Sequence, residues 1–160
     1  MNSALQSWLT IPDVIERAID GLSDDDFKLH GGTHGPSIRE TVHHLVEANL
    51  VAANIILAAL ATNSTTYDWS WVIPDDEWMQ RIGYANAPIA PALKTLRALC
   101  DYYAILISGI PDGLSREVQL LDAPGAKIHS MTVEGILQQE FQHVQQHLRE
   151  VSQILAGHRR

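Results

Sequence analysis

Apolar residues recur at three- and four-residue spacing in four long stretches of this chain, which predicts four helices. The first runs from near Thr10 to about Leu22. Thr10 and Asp13 there resemble a capping box, Pro12 is tolerated in a first turn, and Trp8 falls in an earlier turn. The second opens on Ser37-Ile38-Arg39-Glu40, a strict capping-box pattern. It carries Ile38, Val42, Leu45, Asn49, Ala53, Ile56 and Leu60 on one face and ends by Thr62. The third starts around Pro91 and presents Leu93, Leu96, Cys100, Tyr103 and Ile107 before the breaker run from Gly109 to Gly113. The fourth starts at Ser130 or Thr132 and ends at Gly157.

The connections differ in kind. Residues 63–90 are long for a loop and hold Trp69, Trp71 and Trp78. Within them Pro74-Asp75-Asp76-Glu77 begins a short helix that ends at Gly83, so the segment is expected to fold over one end of a bundle. Residues 116–129 alternate loosely around Ala123-Pro124-Gly125, the pattern of a small hairpin. Gly21-Leu22-Ser23-Asp24 and Gly109-Ile110-Pro111-Asp112 echo each other, suggesting two helix–loop–helix halves.

Composition narrows the class. The 160 residues, 46% of them apolar, suffice for one domain over 1–160 with a sizeable core. A net charge of −8 with eleven scattered Lys and Arg disfavours nucleic acid and anionic membranes as partners. The apolar segment Leu50 to Ala61 is too short to span a bilayer. One cysteine cannot pair internally and no signal-peptide pattern opens the chain, so a reducing, cytoplasmic setting is expected.

The candidate chemistry lies in the histidines. On a helical wheel of the fourth stretch, Val133, Leu137, Val144, Leu148, Val151 and Leu155 share one arc, and Gln138, Gln142, Gln145, Arg149 and Gln153 lie opposite. His143, His147 and Glu140 fall in or beside the apolar arc, where each needs a polar partner. The i, i+4 spacing stacks the two imidazoles over adjacent turns, so both can reach one metal ion. In the second helix, His43 projects with Arg39, Glu40, Glu47 and Asn54 toward water, whereas His44 lies with Ala48, Val51, Ala52 and Ile55 toward a neighbouring helix. His44, His143 and His147 therefore make a three-histidine face that suits Zn, Ni, Fe or Co and leaves coordination positions open. Glu140 either accepts from a ligating histidine or is a buried carboxylate bonded for stability. His30 and His34, in the HGGTHG run, read as a flexible turn, since no G-x-S-x-G accompanies them. His129 and His158 read as surface, Cys100 as a small core residue and the three tryptophans as packing groups.

The run from Ser37 to Leu45, followed about a hundred residues later by His143-x-x-x-His147, resembles the DinB/YfiT-like family over nearly the whole chain. The resemblance implies an all-α four-helix bundle with up-down-down-up connectivity, with the short extra helix and small hairpin in its connections. It further implies a homodimer and a divalent metal, Zn or Ni first and Fe, Co or Mn as alternatives, held by His44, His143 and His147. Members of that family are similar to metal-dependent hydrolases, to thiol transferases using bacillithiol or related low-molecular-weight thiols, and to mycothiol-dependent isomerases. The chain departs from the family where a tryptophan often precedes the second helix, since Pro36 stands there. The expectation is a metal-dependent enzyme acting on a small molecule, with Glu140 orienting a ligand or relaying a proton. Two rivals stand beside it: a non-catalytic stress-response or binding module on the same bundle, and a hydrogen-bonded core cluster of histidines without metal.

Overall fold

The computed structural model describes residues 2–32 and 35–158. The first predicted helix is two: α1 (Ser3–Leu9) and α2 (Ile11–Ile19), which meet at Thr10. Thr10 is itself helical (φ −82°, ψ −9°) and makes no capping bond through its side chain. Its hydroxyl instead donates back to the Ser7 carbonyl at 2.6 Å, so the anticipated capping box is absent. Asn2 is the real cap, its side chain accepting from the Ala4 N–H at 2.8 Å. Pro12 falls in the first turn of α2, where it interrupts no helical bond.

The second predicted helix is α3 (Ile38–Ala61). Its capping box is closed in both directions: Ser37 Oγ accepts from the Glu40 N–H, and the Glu40 carboxylate accepts from the Ser37 N–H at 2.8 Å. All seven apolar-face positions named above are buried. Asn49 holds its place among them because both ends of its amide are used: Oδ1 accepts from Trp8 Nε1 at 2.8 Å and Nδ2 donates to the Leu45 carbonyl at 2.9 Å. By length and composition alone α3 could cross a membrane, but half of its most apolar window is buried within the protein, as for a core helix.

The short helix α4 (Asp76–Ile82) is capped by Asp75 and stops at Gly83, whose φ of +83° suits a residue without a side chain. Then α5 (Ile89–Gly109) starts two residues before Pro91, which the first turn accommodates, and buries the five residues expected of it. The last helix is α6 (Val133–His158), with Thr132 Oγ1 accepting from the Gly135 N–H at 3.1 Å. Gly157 lies inside its final turn rather than ending it.

Side-chain neighbours set the helix directions. Leu57 and Leu60 near the end of α3 lie with Ile105, Leu106 and Ile110 near the end of α5, so these two helices are parallel. Along α6, His147 meets His44 of α3, and Ile136 lies farther on with Ile55, so α6 runs antiparallel to α3. The start of α1 touches the start of α6 through Asn2 Nδ2 and Glu134 Oε1 at 2.8 Å, which makes those two parallel. The bundle is therefore up-down-down-up. The long 62–88 connection is what parallel α3 and α5 require.

The expected hairpin forms from β2 (Glu117–Leu121) and β3 (His129–Thr132). In its loop Ala123, Pro124, Gly125 (φ +76°) and Ala126 form a turn closed by a 2.9 Å bond from the Ala126 N–H to the Ala123 carbonyl. The sequence reading missed a third strand, β1 (Thr65–Asp68), which pairs parallel with β2 from Thr65↔Val118 to Asp68↔Leu121. Its direction follows from the bundle, since β1 leaves α3 and β2 leaves α5 in the same sense. Val118 and Leu120 turn inward and close the core at that end.

Candidate metal centre

Antiparallel packing of α3 against α6 brings His44, His143 and His147 together. His143 Nε2 lies 3.3 Å from His44 Nε2 and 3.0 Å from His147 Nε2, and all three donor atoms fall within 4.8 Å of one another. The one-turn spacing on α6 supplies two of them and the facing turn of α3 the third. Each ring also has a carboxylate on its far nitrogen, three residues away on its own helix. Glu150 Oε2 is 2.8 Å from His147 Nδ1, Glu140 Oε2 is 3.7 Å from His143 Nδ1, and Glu47 Oε2 is 4.0 Å from His44 Nδ1.

One contact decides a tautomer. A carboxylate only accepts, so Nδ1 of His147 carries the hydrogen and its Nε2 a lone pair. Glu140 and Glu47 face Nδ1 of His143 and His44 from beyond hydrogen-bond distance. With the same tautomer in all three rings, three lone pairs converge and a cation at their focus relieves the repulsion. Three buried polar atoms behind the rings have no hydrogen-bond partner among the described residues, His44 Nδ1, Glu47 Oε2 and Glu140 Oε2. Burial, then the neighbouring histidines, pushes the His44 imidazole down to about 4, and His147 is lowered by burial and then by His143. Both are neutral at neutral pH, the state a metal ligand needs. The residues thus fit a divalent cation in donor type and arrangement, and His44 and His147 in protonation as well.

Other site residues fall differently from expectation. His43, expected to face water, is 8% exposed, and so is Glu40. The 62–88 connection covers that side of α3: His43 Nε2 lies 3.1 Å from the Ala87 carbonyl and its ring stacks on Tyr84 at 5.1 Å. It takes no part in the cluster. Glu140 sits against Nδ1 of His143 and also lines the cavity described below. Glu47 and Glu150, which complete the pattern, were not singled out from the sequence, although the His-x-x-Glu spacing at 44–47 and 147–150 is its signal. His30 is exposed and bonded through Nδ1 to the Gly35 carbonyl at 2.8 Å, whereas His34 lies outside the described residues. His129 and His158 are exposed, as anticipated. Cys100 is buried and its thiol is pushed up to about 12, chiefly by burial, which makes it an inert core residue.

A cavity of about 860 Å³ opens beside the histidines. One wall is apolar: Val51, Ala52 and Ile55 of α3, Leu120 of β2, Met131 of β3 and Ile136 of α6. The 62–88 connection contributes Trp69, Val72 and Pro74, so the long segment does border the site. On α6, Gln142, Gln145, Gln146 and Arg149 add a polar side. Trp69 and Trp78 are tied by their indole N–H groups to Asp122 (2.7 Å) and Glu47 (2.6 Å), while Trp71 is 64% exposed.

Residues 8–151 match the family model of the DinB superfamily. Among solved structures, the fold is similar to that of YfiT from Bacillus subtilis, described as a probable metal-dependent hydrolase with an unusual four-helix bundle topology. The TM-score is 0.77 at 17% identity, covering 96% of this chain and 87% of that one. Among curated proteins, no sequence match is significant.

Proposed function

Because the chain belongs to the DinB superfamily, we propose that it is a divalent-metal-dependent enzyme acting on a small organic molecule, with His44, His143 and His147 as the metal ligands. The observation that carries this reading is the convergence of three Nε2 atoms, 3.0 and 3.3 Å apart through His143, beside an 860 Å³ cavity. Imidazole nitrogens suit Zn or Ni first, and Fe, Co or Mn as alternatives. When bound, such an ion supplies a Lewis acid and brings the pKa of a coordinated water toward neutrality.

The chain's own residues supply the rest. Glu150 holds His147 in the Nδ1–H tautomer with its Nε2 lone pair inward, and Glu47 and Glu140 stand on the same side of His44 and His143, where they would accept from Nδ1 once the gaps close. The position of Glu140 on the Nδ1 side favours orienting His143 over direct proton relay. The apolar wall of Val51, Ala52, Ile55 and Met131 seats an apolar body and keeps water away from it. Hydrolysis of such a substrate is the first reading.

A second reading, transfer of a low-molecular-weight thiol, draws on the polar side of the same cavity. Arg149 with Gln142, Gln145 and Gln146 offers donors for the carboxylate and amides of a hydrophilic thiol. Assays of the Zn- and Ni-loaded protein on uncharged aryl esters, and on an electrophile with cysteine or bacillithiol, separate the two. Activity that persists after chelation in pure protein contradicts both. We further propose a homodimer through the outer face of α3 and α5, where Leu57, Tyr102 and Ile105 are exposed. A cytoplasmic setting is part of the same reading, since the one thiol is buried and unpaired.

A further inference from the structure

Of the three carboxylates behind the histidines, Glu47 differs in what else it touches. Its Oε1 accepts a 2.6 Å bond from Trp78 Nε1 of α4, in the connection that borders the cavity. Tyr84, in the 3-10 turn after α4, lies close to it: the hydroxyl is pushed up to about 12 by burial and then by Glu47. Its other oxygen, Oε2, is buried without a partner and faces the equally unpartnered His44 Nδ1 at 4.0 Å. Among the described residues, Glu140 and Glu150 make no such link to the connection. Glu150 is bonded within α6, to His147 and to Gln146, and Glu140 Oε2 has no partner.

A histidine that gives Nε2 to a cation must keep its hydrogen on Nδ1, and that hydrogen needs an acceptor. For His44 the facing acceptor is Glu47 Oε2. The gap exceeds a hydrogen bond by about 1 Å, so a small shift of either side chain closes it. Where the carboxylate sits is fixed from its other side by Trp78.

We propose that Glu47 is a positioning residue that couples the seating of α4 and its flanking connection over the cavity to metal retention by His44. This rests on the metal reading above. Coupling of this kind is reciprocal: the factor by which a seated cover tightens metal binding is the factor by which metal favours the seated cover. The cavity would then be walled when the centre is loaded and looser when it is empty.

The test uses the full chain purified without a tag, with Zn as probe. Zn affinity is measured by competition with a chromophoric chelator in the parent, Trp78→Phe, Glu47→Gln and Tyr102→Phe. Hydrogen exchange of amides 76–87 is followed in the parent with and without Zn. The expected result is about tenfold weaker Zn binding in Glu47→Gln and Trp78→Phe, no change in Tyr102→Phe, on the exposed face of α5, and Zn-slowed exchange over 76–87 in the parent that is lost in Glu47→Gln. Equal Zn affinity in the parent and Trp78→Phe, with exchange over 76–87 indifferent to Zn, overturns the coupling while the metal centre stands. A parent that binds no Zn overturns both. The exchange experiment on the parent needs no variant, so the test holds even if a substitution impairs folding.

Discussion

Replacing His143 by alanine separates a metal centre from a hydrogen-bonded histidine cluster. His143 is the hub, its Nε2 lying 3.3 Å from that of His44 and 3.0 Å from that of His147, so its loss leaves two donors on different helices. A ligand present at a hundred times its dissociation constant stabilises a protein by about 2.7 kcal/mol. For a domain of this size each kcal/mol moves the melting temperature by about 2–4 °C, so Zn is expected to raise that of the parent by roughly 5–10 °C. In chelator the substitution removes a half-buried ring whose Nδ1 stands 3.7 Å from Glu140 and whose Nε2 faces that of His147 at 3.0 Å. That ring contributes little without a cation, and the metal-free melting temperature should fall by no more than about 4 °C, the effect of roughly 1 kcal/mol. Scanning calorimetry of parent and variant, each in chelator and in Zn, gives the four values needed. Equal losses in chelator and in Zn, with no Zn shift in the parent, would refute the reasoning and leave a structural cluster.

Acid should weaken the metal-free protein. The folded-state pKa of His44 lies near 4, below the 6.5 of the unfolded chain, so the unfolded state binds more protons between these values. The stability it contributes is complete above pH 6.5 and is lost as pH falls toward 4, an effect on the order of 3 kcal/mol. His147 and His43 act in the same direction, and an unchanged urea midpoint between pH 7 and 4.5 contradicts this. Trp8→Phe should cost about 1–3 kcal/mol in urea unfolding, because it leaves Asn49 Oδ1 buried without its donor; a cost within error means that water or a rearranged amide replaces the indole. Ser37→Ala opens the capping box of α3 and should cost about 1 kcal/mol by the same assay, with no change in Zn affinity.

Local features were legible and nonlocal ones were not. The capping box at Ser37 and Glu40, the buried stripe from Leu93 to Ile107 and the stop at Gly83 each depend on residues within a turn or two of one another. The histidine triad was legible because helical phase alone puts His143 and His147 on one side of α6 and separates His44 from His43. What phase cannot show is which segment covers a helix. His43 sits on a face covered by the connection carrying Tyr84 and Ala87, more than forty residues away. For β1 the partner is β2, some fifty residues on, and their parallel register appears only once α3 and α5 are known to run together. Glu47 and Glu150 look like ordinary polar helix residues until the rings they face are seen to point their other nitrogens at one spot.

The central claim is that His44, His143 and His147 hold one metal ion, and elemental mass spectrometry tests it most directly. Tag-free parent protein is compared with His44→Ala and His147→Ala, as purified and after incubation with Zn or Ni. Close to one equivalent of metal in the parent and little in either variant is the predicted result. A parent that stays metal-free after incubation, or variants that keep the full equivalent, would contradict the account.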